Sequence, residues 1–215
     1  MTSTLNEMLV AGRMDEASVL AMRRLAEDPG DVDALSAQAR VALLTGNIAQ
    51  LETLLRRLTI KGATQAVQLL RAAMAWKNKD WRQARGFYEQ LTRQASPPAE
   101  AWYGLGVSRM ALEDLDGARE ALERAVALEP ERSSMRFELG RVLVLQRRER
   151  SALRQWVMGL RLEPRDVRGY LVVAEVVARR GKARQAQWVL ERGLETLPGH
   201  AVLRAALEEL DARCA

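Results

Sequence analysis

The chain has 215 residues, 48% hydrophobic and 28% charged, enough apolar material for a packed core; Ala, Leu, Arg and Glu dominate and aromatics make up only 5%, a composition of helices and not of sheets. Formal charge is +5, carried mostly by arginine because lysine occurs only at 61, 77, 79 and 182, a bias that fits a GC-rich bacterial genome and a solvated surface better than a dedicated phosphate site. No window approaches the ~18 apolar residues of a membrane span, the start has no signal-peptide pattern, and the single Cys214 can build neither an intrachain disulfide nor a thiolate zinc site, so the expected location is the cytoplasm.

In chain order, the predicted elements are helices in rows of about 34 residues. Residues 1–31 hold a short first stretch and then Gly12, Ala17 and Pro29, the second half of a row. Residues 32–64 keep Ala39 and Gly46, but Leu51 stands where later rows have a small residue and Ala63 where they have proline. That row is one residue short, which predicts irregular packing around "TIKGATQ". Residues 65–98 keep Ala72, Ala84 and Tyr88, open the second stretch with Trp81 and end in "SPP".

Three rows then agree closely. Residues 99–132 place Trp102, Leu105, Gly106, Ala118, Leu122, Ala125 and Pro130 in fixed columns. Residues 133–166 answer with Arg136, Leu139, Gly140, Ala152, Trp156, Gly159 and Pro164, and residues 167–200 with Tyr170, Val173, Ala174, Ala186, Leu190, Gly193 and Pro198. Residues 201–215, "AVLRAALEELDARCA", read as a lone helix with one apolar stripe. Each row carries apolar residues three and four apart in two stretches, so each helix must bury one stripe against another. Small residues such as Gly106, Ala118 and Ala125 fit where two helix backbones approach closely. The proline, with no amide hydrogen and a restricted predecessor, ends the second helix of each pair.

These columns resemble the tetratricopeptide repeat. The resemblance implies an all-α fold, a right-handed superhelical solenoid of antiparallel helix pairs, as a single domain over 1–215. Its repeats would span 1–31, 32–64, 65–98, 99–132, 133–166 and 167–200, with a capping helix at 201–215.

Candidates for chemistry are few. His200 is the one histidine and falls in a predicted turn, so no histidine pair or Ser-His-Asp set can form. Carboxylates in 113–116, 123–131 and 207–211 lie on helix ends and polar faces. The glycines at 104–106 follow no strand, and "GK" at 181–182 lacks the rest of a phosphate loop. Neither an enzyme nor a cofactor or metal site is expected.

The resemblance places the first helix of each pair on a concave surface. The columns facing it are Arg40 and Leu43; Leu69, Leu70, Ala73 and Trp76; Tyr103, Val107 and Met110; Phe137, Arg141 and Val144; and Arg168, Leu171 and Glu175. Trp76, Tyr103, Met110 and Phe137 would anchor an apolar partner segment, oriented by Arg40, Arg141 or Arg168. A carboxylate clamp of paired lysines and asparagines, known in some members, is disfavoured because Asn6, Asn47 and Asn78 lie near helix ends. Arg147, Arg148, Arg150 and Arg154 form a further basic patch suited to an acidic partner. The expected function is a non-catalytic protein-binding adaptor in a bacterial assembly. A chaperone for a hydrophobic client of a secretion or pilus system is the narrower alternative, and a nucleic-acid-binding repeat is the alternative of another class. Self-association stays open.

Overall fold

The structure, a computed structural model, describes residues 4–10 and 12–214, with the side chains of Val10 and Cys214 left aside. The expectations for residues 1–3, 11 and 215 and for the Cys214 thiol therefore lie outside the described residues. Every regular element among the described residues is an α-helix, thirteen in order. The chain divides into two compact units, Met1–Pro97 and Pro98–Ala215.

In the first unit, α1 (Leu5–Val10) pairs with α2 (Met14–Glu27), α3 (Val32–Thr45) with α4 (Ile48–Ile60), and α5 (Thr64–Lys77) with α6 (Trp81–Thr92). In the second, α7 (Ala99–Ala111) pairs with α8 (Leu115–Leu128), α9 (Ser133–Leu145) with α10 (Glu149–Leu162), and α11 (Val167–Arg179) with α12 (Ala183–Thr196), and α13 (Ala201–Cys214) packs on α12. The all-α architecture of antiparallel helix pairs is as the 34-residue period predicts.

The turns inside the pairs share one device. A residue with positive φ stands at Gly12, Gly46, Lys79, Glu113, Arg147 and Gly181, repeating every 34 residues except for one interval of 33. The next amide reaches back to close the helix end, Asn47 to Ala42 at 2.9 Å, Asp114 to Arg109 at 3.0 Å and Arg148 to Leu143 at 2.8 Å. Glycine holds this left-handed backbone without strain, whereas Lys79, Glu113 and Arg147 each carry a penalty on the order of 1 kcal/mol.

The proline column works on its predecessor. Asp28, Glu129, Glu163 and Leu197 end their helices with φ between −128 and −133°, out of the helical region, as the following proline ring demands. Row 32–64 has no proline and substitutes another stop. Gly62 takes φ 70°, the Ala63 amide donates to Leu58 O at 3.0 Å, and only residues 61–63 connect α4 to α5 where 129–132 connect α8 to α9. The connection of the short row is thus one residue shorter, and α4 and α5, with 13 and 14 residues, stay within one residue of their counterparts α8 and α7.

Packing follows the columns. In the first unit Leu35, Leu51 and Leu58 are fully buried, and Leu51 fits between helices because it shares its cluster with Ala39 and Ala42. In the second unit a Cβ on Gly106 would meet Leu122, and one on Gly140 would overlap the Trp156 indole. That indole is buried and donates from Nε1 to Phe137 O at 3.0 Å, so the larger residue in this row fills the glycine notch and satisfies its own polar atom. Each fully buried leucine contributes roughly 1.5–3 kcal/mol.

Candidate functional site

The expected contact residues fall in both units. In the first unit, Arg40 on α3 donates from Nη1 to Asn6 Oδ1 on α1 at 2.7 Å, and Leu69 on α5 is half-buried. Leu43 is only 7% exposed and belongs to the core cluster, so it has little surface for a partner. Trp76 is 43% exposed and meets Trp81 edge to face, ring centroids 6.0 Å apart. Beside it, Lys77 Nζ donates to Leu43 O and, at 3.3 Å, to Leu44 O, holding the C-terminal carbonyls of α3. The sequence pointed to Trp76; the pairing with Trp81 and the role of Lys77 needed coordinates.

In the second unit the expected apolar anchors Val107, Met110 and Phe137 are buried. Val107 and Met110 are each 9% exposed and Phe137 8%, all within one core cluster. Phe137 packs over Gly159 and Gly169, because those residues leave room for its ring between α10 and α11. A ring so seated stabilises the pairing of helices and cannot anchor a ligand without leaving its pocket.

What remains at the surface of the first helices is more polar than expected. Tyr103 on α7 packs partly on the core. Burial raises its phenol to about 12, with Glu138 pushing the same way and Arg132, Arg141 and Arg168 opposing. Side chains of α9 and α11 therefore lie within electrostatic reach of one phenol. Arg141 Nη1 donates to Glu138 Oε2 at 2.7 Å, and Arg168 forms a two-point contact with the buried Asp166, at 3.1 and 2.8 Å. Hydrogen bonding to Asp166 and its charge raise the Arg168 guanidinium pKa, so it is firmly cationic.

A cleft of about 630 Å³ is lined by α11, α12 and α13. Its apolar lining includes Leu171, Ala174, Ala178, Leu190, Ala206 and Leu210, and its charged lining is Glu175, Arg179, Glu209 and Arg213. Arg179 and Glu175 pair at 3.9 Å, and Arg213 pairs with Glu209. Leu171 was expected here from its column. The wall supplied by α13 was missed, although the apolar stripe of 201–215 was the available signal: Leu203 is buried, and Ala206 and Leu210 are left for the cleft.

The basic patch is partly gathered. Arg147, Arg148, Arg150, Glu149 and Ser151 line one depression of about 410 Å³, joined by Arg180 from the end of α11. Arg154 does not join them; its Nη2 donates to Ser151 Oγ at 3.1 Å. Arg180 was missed because it precedes a turn one repeat later, a neighbour that only the stacking of rows creates.

Among the described residues no group of three or more His, Cys, Asp or Glu could hold a metal ion, and no helix is long and apolar enough to cross a membrane.

Residues 69–121 and 103–157 match the family model of the tetratricopeptide repeat. No curated protein matches the chain significantly. Among solved structures it is similar to pilF of Pseudomonas aeruginosa, at 17% identity over 97% of this chain and 94% of that one, with a TM-score of 0.69. It is similar also to PilW, described as a widely conserved type IV pilus biogenesis factor, at 15% identity over 94% of each chain and a TM-score of 0.72. YrrB, described as a TPR protein with an unusual peptide-binding site, matches at 17% identity over 87% of this chain and 97% of its own, with a TM-score of 0.62. At such identities the likeness establishes the fold.

Proposed function

We propose that this chain, which belongs to the tetratricopeptide-repeat proteins, is a non-catalytic adaptor that holds a segment of a partner protein against the first helices of its pairs. The cleft beside Leu171 supports the reading most directly. It offers an apolar floor for side chains and a rim of both charge signs for orientation, and the cationic Arg168 precedes Leu171 by one helical turn. The working partner residues are Tyr103, Arg141, Arg168 and Leu171 in the second unit and Arg40, Leu69 and Trp76 in the first. The location is cytoplasmic, within a bacterial assembly.

A narrower reading, a holder of a hydrophobic client segment in a pilus or secretion system, is favoured by the apolar floor and by the likeness to pilF and PilW. Both readings are tested by placing a photo-crosslinking side chain at Leu171, at Tyr103 and, as a remote control, at Trp188, which is exposed on α12. The expected result is one protein captured from 171 and 103 in host cells, lost when Arg168→Glu is added, and absent from 188. Equal capture from all three positions would overturn the first-helix surface as the site.

A further inference from the structure

We infer that the edge built by the α9–α10 and α11–α12 turns is a second docking surface, fitted to an acidic segment of a partner protein. Four guanidinium groups, of Arg147, Arg148, Arg150 and Arg180, line one depression, with Glu149 the single carboxylate among its lining residues. Among the described residues no ion pair holds any of the four, while neighbouring Arg132, Arg141 and Arg168 each have a carboxylate partner. Lys182 follows Arg180 in the second turn and Arg184 stands in the first turn of α12, extending the same charge.

The surrounding structure gives up stability here in two ways. Arg147 holds the left-handed conformation that Gly46 and Gly181 hold without strain. Arg148 and Lys182 occupy the N-cap positions of α10 and α12 with no side-chain cap, whereas Asn47, Asp80 and Asp114 accept an amide at the corresponding place. A cation there also opposes the helix dipole. Arg13 is a basic N-cap too, but Glu16 neutralises it at 2.7 Å, and nothing does so for Arg148. Local rules broken together, at one spot and without internal compensation, mark a surface shaped for something outside the chain.

Charge complementarity selects an acidic partner. A protein segment is favoured over nucleic acid because the preceding turn carries Glu113, Asp114 and Asp116, which cuts the basic track to two turns where a phosphate backbone needs a continuous one. None of the lining residues is an aromatic on which a base could stack. This surface is separate from the first-helix cleft, so its test does not depend on the adaptor reading.

The probe is a fluorescein-labelled dodecaglutamate peptide, followed by anisotropy at about 50 mM salt, where surface charge is weakly screened. Arg147→Gly/Arg148→Asp should weaken binding at least tenfold; it installs the residue types already present at Gly46 and Asp114, so the fold is retained. Arg23→Glu/Arg56→Gln, with the same change in charge on exposed helices of the first unit, should leave affinity within about twofold. Arg150→Gln/Arg180→Gln repeats the test without touching the left-handed residue or the N-cap of α10. No binding by the wild type, an equal loss in the charge-matched control, or no loss in either patch variant overturns the inference. A labelled twelve-residue oligothymidylate bound more tightly than the peptide, and released by the same substitutions, would overturn it in favour of nucleic acid.

Discussion

Glu113 illustrates how a repeat tolerates a poor residue at a demanding position. It holds φ 65° in a turn whose counterparts include Gly46 and Gly181, and its α8 helix is still capped by Asp114, whose carboxylate accepts the Gly117 amide at 3.0 Å. Glu113→Gly should therefore raise stability by about 0.5–1 kcal/mol, the left-handed penalty less the extra freedom of glycine in the unfolded chain. Urea unfolding of the two proteins checks this; no gain would mean that the turn relaxes without strain. Tyr103 gives a second test. Because burial raises its phenol from 10.0 to about 12, the folded state keeps a proton that the unfolded state loses. Its stabilisation is complete below about pH 10 and is lost as pH rises through the folded value. The Tyr103→Phe variant should show a shallower fall of stability above pH 10 and lack the latest-titrating component of phenolate absorbance.

At the scale of the element, two helices in a pair approach as closely as their smallest residues allow. Gly106 is buried against Leu122 and the Ala118 carbonyl, so Gly106→Leu must push α7 from α8 and should destabilise by a few kcal/mol. An unchanged midpoint in thermal unfolding would show that the pair can open freely. The same reasoning explains the neighbouring row, where Gly140 makes room for Trp156. It explains as well why Phe137 left the contact surface: Gly159 and Gly169 create a recess on the core side that a ring fills more favourably than water does.

At the scale of the molecule, the expectation of a single domain over the six helix pairs and the cap is a proposal that thermal unfolding tests. Calorimetry should give a single transition. Two transitions, with limited proteolysis cutting near Pro97, would instead make the two compact units separate domains.

Helix positions, pair boundaries and the small-residue columns were legible in the linear chain because they are local: a period of 34, a proline and a glycine notch act on residues within one row and its neighbour. Even the short row declared itself, although where its residue was saved, in the 61–63 connection, emerged only with the backbone in place. Which faces stay open was another matter. Val107 shares its column with exposed Arg141, and Leu43 and Met110 share theirs with exposed Trp76, so no column distinguishes the buried from the open. Exposure depends on the side chains that happen to stand opposite in the next helix, as the α13 wall of the cleft and the meeting of Arg147 with Arg180 also do. Local periodicity therefore dictates the helices and their pairing, and the packing of one pair on the next decides which residues are left to meet a partner.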